Sequence, residues 1–132
     1  MGQTQILFIV LSVIIVGIAV AVGITQFGSN TVTANRNAVL LDLQDIGGKA
    51  QTWYRTPAGM GGGNNSYAGL DFDDMGLTRG SGGTTTYTNN NGTYTLNGTP
   101  GATVTFDAVG SEAVNHYRVT AYPESLGTPI KQ

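Results

Sequence analysis

Residues 6–24 read ILFIVLSVIIVGIAVAVGI, a run of nineteen residues without a charged side chain. Fourteen of them are Ile, Leu, Val or Phe, and the other five are small. As an α-helix this run rises about 28 Å, close to the thickness of the hydrocarbon core of a bilayer. Eleven of the residues are β-branched and favour strands, but the run is too long for a soluble strand, and a lone strand cannot span lipid. We therefore predict that this run, the apolar segment, is a helix able to enter a membrane.

Composition limits the remaining choices. The chain has 132 residues, enough for one small domain beyond the apolar segment, with six basic and eight acidic side chains. This near balance implies neither a nucleic-acid partner nor electrostatic docking to anionic lipid. There is no cysteine, which excludes a disulfide framework, a cysteine zinc site and thiol chemistry. The apolar segment also differs from a cleaved secretory signal, because it is long, no basic residue precedes it, and no clear cleavage site follows.

A second helical pattern follows the apolar segment. Apolar residues spaced by four and three positions form one stripe, the apolar stripe, made of Val39, Leu43, Ile46, Ala50 and Trp53. Gly47 and Gly48 weaken a helix here, so packing must hold it, and Pro57 ends it near Tyr54 or Arg55. We predict one helix from about Gln3 to Arg55. The alternative is a membrane helix, a linker over 28–33 and a separate surface helix.

Short strand signals occupy the last third of the chain. Four segments are predicted to be strands, at residues 84–88, 93–96, 103–109 and 116–122, with turns between them that include an Asn-Gly pair. They predict an antiparallel meander with one apolar face, which the apolar stripe would cover. The predicted class is α+β, a long N-terminal helix with a small antiparallel sheet packed on its C-terminal half. Its predicted parts are an apolar helix (1–28), an amphipathic helix (29–56) and a head of loop and sheet (57–132).

Several stretches resemble a known family. They are Met1-Gly2-Gln3-Thr4-Gln5-Ile6-Leu7, Val16-Gly17-Ile18-Ala19-Val20, Ala50-Gln51-Thr52-Trp53-Tyr54-Arg55 and the loop from Gly61 to Gly69. They are similar to bacterial type IV pilin-like proteins of environmental and thermophilic lineages. Beyond residue 70 the resemblance is one of architecture.

The resemblance implies a maturation pathway. A prepilin peptidase would remove a short basic leader, the new N-terminus would be methylated, and assembly machinery would build a helical fibre from subunits held in the inner membrane. Met1 would then be a processed terminus. Members of the family usually have Glu at the fifth position, where it neutralises a neighbour's terminal amine, whereas Gln5 can only hydrogen-bond. The resemblance implies a location in a cell-surface filament, with a single membrane pass before assembly.

Small residues within the apolar segment suggest where helices pack. Gly17 with Ala21, and Ala19 with Gly23, are pairs spaced by four that let helix backbones approach closely. We expect contacts between copies of the chain to involve five residues: Gln5, Ile6, Gly17, Ala21 and Gly23. The glycines from Gly17 to Gly28 also make this the weakest part of the helix.

Other motifs favour simple interpretations. Asn64, Asn91 and Asn97 each begin an N-glycosylation sequon. Asp71, Asp73 and Asp74 are expected to form a solvated acidic turn rather than a calcium site, since the glycine and terminal glutamate of an EF-hand loop are missing. His116, the only histidine, is expected at a strand end. No set of nucleophile, base and oxyanion donors is evident, and we expect no enzyme activity, metal or cofactor.

Two functions remain open from the sequence. The first is a structural subunit of an extracellular type IV pilus-like filament that polymerises with copies of itself through the apolar segment. The second is a membrane-tethered extracellular binding domain or a secretion-system pseudopilin. A filament would be sheared from cells and would sediment, whereas a tethered monomer would dissolve in detergent.

Overall fold

The structure is a computed structural model that describes residues 2–77, 85–97, 100–112 and 116–132. It contains a helix, a short 3₁₀ turn and five strands: α1 (Gly2–Arg55), the 3₁₀ turn (Ala58–Met60), β1 (Thr86–Thr88), β2 (Gly92–Asn97), β3 (Val104–Gly110), β4 (His116–Ala121) and β5 (Ile130–Lys131). The chain divides into two compact units, an N-terminal unit (Met1–Thr33) and a C-terminal unit (Ala34–Gln132).

Helix α1 is continuous over 54 residues, from Gly2 to Arg55. The prediction of one long helix is confirmed, and the alternative with a linker over 28–33 is wrong. The helix ends where Pro57 requires it to, because a residue before proline is biased away from helical conformation. The amide of Thr56 still bonds back to the carbonyls of Thr52 and Trp53, both at 3.1 Å, which closes the last turn.

The strands form one antiparallel sheet in the order β1-β2-β3-β4-β5. The pairs Thr88–Thr93, Leu96–Phe106 and Phe106–Val119 illustrate its register. The predicted meander is confirmed, but the predicted number of strands is wrong, because β5 pairs Ile130 with Arg118 at the edge. A strand of two residues is too short for a period-two pattern to reveal it.

The core of the C-terminal unit lies between α1 and one face of the sheet. Four members of the apolar stripe are buried, while Trp53 is half-buried against the core. The sheet contributes the alternating residues expected from its pleat: Tyr94, Leu96, Val104, Phe106, Ala108, Tyr117, Val119 and Ala121. The apolar face predicted for the meander is therefore confirmed.

The loop after α1 folds back on the core. Tyr67, Leu70 and Phe72 are at most 4% exposed, so this segment packs against the core of the C-terminal unit. The hydroxyl of Tyr67 donates to the carbonyl of Tyr122 at 3.1 Å. Glycine is required at Gly63, because a Cβ there would collide with the backbone carbonyl of Ser66 and with the Trp53 ring.

Candidate assembly surface

Most of the exposed large hydrophobic side chains of the described chain lie in the apolar segment. All fourteen of its large side chains are between 50% and 70% exposed. By length and composition, α1 could cross a membrane. Folded proteins rarely leave more than a few hundred Å² of contiguous apolar surface in water. The N-terminal unit therefore requires lipid or protein around it.

The hydroxyl groups of Ser12, Thr25 and Thr31 in the N-terminal unit are satisfied within the helix itself. Ser12 donates to the carbonyl of Phe8 at 2.8 Å, and Thr25 donates to the carbonyl of Ala21 at 3.0 Å. The hydroxyl of Thr31 bonds in the same way to the carbonyl of Phe27. Because such groups need no outside partner, Ser12 does not oppose burial of the apolar segment in lipid or against another helix.

The residues expected to contact other copies are all exposed. Gln5, Ile6, Gly17, Ala21 and Gly23 lie on α1 with their surfaces open. A Cβ placed on Gly17 or Gly23 would meet no atom within 4 Å. Contacts within the subunit therefore do not require glycine at either position. Their role in assembly stays a prediction, and Met1 lies outside the described residues.

One carboxylate joins α1 to the first hairpin of the sheet. Oδ2 of Asp42 accepts hydrogen bonds from the Tyr94 hydroxyl at 2.6 Å, the Asn91 amide at 2.8 Å and the Asn89 amide at 2.9 Å. Burial acts to raise the pKa of the Asp42 carboxyl, but these three bonds outweigh it and hold the pKa below its ordinary value. Burial, and then the bond to Asp42, raise the pKa of Tyr94 far above its ordinary value. The cluster fixes the β1–β2 turn on the helix.

A second polar contact joins α1 to two turns of the sheet, the β1–β2 turn and the turn after β3. The side-chain amide of Asn35, which is only 9% exposed, donates to the carbonyl of Asn91 at 2.7 Å and to Ser111 Oγ at 3.1 Å. Its oxygen accepts from the amide of Glu112 at 3.3 Å. Both ends of this buried side chain are therefore satisfied, as such groups require.

An ion pair crosses the other face of the sheet. Nε and Nη2 of Arg118 donate to the two carboxylate oxygens of Asp107 at 2.6 and 3.0 Å, a bidentate pair between β4 and β3. Asn97 adds a third hydrogen bond to Asp107. The hydrogen bonds from Arg118 are the main reason why the pKa of Asp107 lies below its ordinary value.

The three sequons lie in different surroundings. Asn64 is exposed in the loop after the 3₁₀ turn and has a positive φ of 50°. The side-chain amide of Asn91 is bonded to Asp42, and that of Asn97, the last residue of β2, is bonded to Asp107. Glycosylation stays a prediction at all three positions.

The remaining motifs behave as ordinary surface features. His116 begins β4 and is exposed, as expected of a residue at a strand end. The amides of Asp71 and Asp74 donate to each other's carboxylates, at 3.2 and 3.0 Å, in a tight turn. Burial raises the pKa of the Asp74 carboxyl. Within the described part of the chain, no cluster of three or more acidic or histidine side chains could hold a metal ion.

Sequence reasoning missed the roles of Asp42 and Asn35. Both point toward partners more than fifty positions away in the chain, and helical periodicity carries no information about such pairs. The only local signal is that each is a polar residue on the side of α1 that faces the sheet.

Comparisons with protein-family models, curated proteins and solved structures gave no significant match, so the pilin-like likeness of this chain is one of architecture.

Proposed function

We propose that this chain is the structural subunit of an extracellular type IV pilus-like filament that assembles by packing of its N-terminal apolar helices. The observation that carries the proposal is that all fourteen large side chains of the apolar segment are at least half exposed. Burying large apolar side chains exposed to this degree is worth on the order of 10–25 kcal/mol in total. Lipid supplies this burial before assembly, and neighbouring copies of the helix supply it afterwards.

The charge distribution supports self-association. Residues 2–35 carry no charged side chain. Parallel copies can therefore pack side by side without repulsion between like charges. In a desolvated bundle such repulsion would oppose packing by several kcal/mol. A partner selected by charge, such as nucleic acid, would find nothing to recognise here. We propose a structural role rather than a catalytic one.

The second candidate is a membrane-tethered extracellular domain. It is favoured by the suitability of α1 as a single membrane span. In that case the apolar segment would stay in lipid permanently, and the C-terminal unit would bind a ligand. The inner membrane would then be the final location of the chain rather than a stage before export.

Shearing and sedimentation separate the two candidates. Cells producing the full chain are sheared, the supernatant is centrifuged without detergent, and the pellet is inspected by negative-stain electron microscopy. We expect thin filaments containing this chain in the pellet. Recovery of the chain only from membranes, and only after detergent is added, would favour the tethered domain and overturn the filament proposal.

A further inference from the structure

An open groove runs beside α1 in the C-terminal unit. It has a volume of about 660 Å³, within the range of ligand sites, and its walls come from the helix, the loop after it and the acidic turn. Its lining includes Asp45, Gly48, Trp53, Met60 and Asp74. None of these residues belongs to the apolar segment.

Two features of this groove are not explained by contacts within the subunit. Gly48 lies inside a helix, where glycine costs about 1 kcal/mol relative to alanine, yet a Cβ there would meet no atom within 4 Å. Gly47 differs, because its Cβ would collide with the side chain of Leu126. Met60 is 80% exposed, although it is large and apolar. Both features suit a groove that another molecule enters.

The loop that carries Met60 is held in place. Trp53 Nε1 donates to the carbonyl of Gly61 at 3.1 Å, and the amide of Gly63 donates to the carbonyl of Trp53 at 2.9 Å. The exposed methionine and the half-buried indole are therefore presented on a preformed surface, which reduces the entropy lost on binding.

The chemistry of the groove favours a cation. It contains two carboxylates, Asp45 and Asp74, and one ammonium group, that of Lys49, which lies 2.9 Å from Asp45. The net charge of these three groups is therefore −1, and the indole of Trp53, which lines the same groove, can attract a guanidinium group. Arginine suits such a site better than lysine, because its planar group both stacks and donates in pairs.

Arg36 is the matching cation. It is exposed, it is the first charged residue in the chain, and no acceptor for it is found among the described residues. It lies nine residues before Asp45 on the same helix, which is about 13 Å along the axis and on the opposite side of the helix, so its side chain does not reach its own groove.

We infer that the Asp45–Trp53–Met60 groove receives Arg36 from a second copy of this chain. Such a contact joins two different patches displaced along the helix, so it is heterologous. A heterologous contact whose rotation does not close produces an open helical filament. The inference rests on the proposed function and adds to it a specific contact outside the apolar segment.

Charge exchange tests the contact in cells that make filaments. Arg36→Glu should lower the yield of sheared filaments about tenfold, equivalent to roughly 1.4 kcal/mol per contact. Combining Arg36→Glu with Asp45→Arg should restore most of the yield, while Lys131→Glu, the same charge change at the exposed edge strand, should leave it unchanged. Normal filaments from Arg36→Glu, or no recovery in the combined variant, would overturn the inference but leave the proposed function intact. Absence of filaments from the unmodified chain would overturn both.

Crosslinking tests proximity without altering these charges. The chain has no cysteine, so Asn37→Cys with Thr52→Cys introduces one defined pair beside Arg36 and in the groove. Within one chain the two positions are about 22 Å apart along the helix. A thiol crosslinker shorter than half that distance should give a ladder of covalent multimers from filaments, and only monomers from either single variant. Monomers alone from filaments of the double variant would overturn the inference.

Discussion

The hydroxyl of Tyr94 donates a 2.6 Å hydrogen bond to the Asp42 carboxylate, and this contact joins β2 to α1. Two asparagine amides from the β1–β2 turn donate to the same oxygen. Periodicity explains the apolar packing of helix on sheet, but this carboxylate fixes where along the helix the first hairpin lies. The buried Tyr94 hydroxyl reaches the Asp42 carboxylate only when the hairpin lies at that point along the helix.

Removing the Tyr94 hydroxyl should destabilise the C-terminal unit. We expect Tyr94→Phe to lower the free energy of unfolding by about 1–2 kcal/mol, because a partly buried carboxylate loses one donor and keeps two. The measurement is urea unfolding of the detergent-solubilised chain, followed by Trp53 fluorescence. Tyr122→Phe, which changes an exposed ring, is the control and should have little effect. Equal losses in both variants would contradict the role of the Asp42–Tyr94 bond.

Acid should weaken the C-terminal unit in a defined range. The pKa values of Asp42 and Asp107 lie below the ordinary 3.8, so their stabilisation is present above that pH and is lost as the pH falls through their lower native values. The raised pKa of Asp74 acts in the opposite sense, but it is one group against two. We expect the urea midpoint to drop as the pH falls below about 4. Asp42→Asn with Asp107→Asn should be less stable at neutral pH and show a shallower drop; an unchanged slope would contradict this assignment.

The two adjacent glycines of α1 should respond differently to alanine. Gly48→Ala should raise the free energy of unfolding of the detergent-solubilised chain by about 0.5–1 kcal/mol, because the new methyl meets no atom and the unfolded chain loses freedom. Gly47→Ala should give a smaller gain or a loss, since Leu126 must move. Thermal unfolding monitored by near-ultraviolet circular dichroism would compare them. A larger gain at Gly47 than at Gly48 would contradict close packing of Leu126 against Gly47.

Much of this fold could be predicted, because its main features are periodic. The apolar stripe, the alternation in β3 and β4 and the proline after α1 are local patterns, and each corresponds to an observed element. The missing parts are not periodic. Strand β5 is two residues long, and Asn35 and Asp42 act through partners distant in sequence. The exposed helix surface was predictable from composition. The Asp45–Trp53–Met60 groove was not predictable, because it depends on the path of the loop after α1.

Bulk at Gly17 should affect assembly but not the subunit. A side chain there has open space in the single chain, so Gly17→Leu should leave the C-terminal unit folded and the chain in the membrane. If helices of neighbouring copies approach at this point, the larger side chain should lower the filament yield roughly tenfold or more. Asn90→Ala, at an exposed turn, is the matched control and should assemble normally. Normal yield from Gly17→Leu, measured by sedimentation of sheared material, would exclude close helix packing at this residue.

Reconstruction of sheared filaments by electron cryo-microscopy tests the central claim most directly, because it locates the apolar segment in the assembled state. We predict that residues 6–24 of successive copies pack on one another in the filament core, with the strands β1–β5 outside and no lipid between the helices. A map in which contacts between sheets hold the filament together, with the apolar segment at its outer surface, would contradict it.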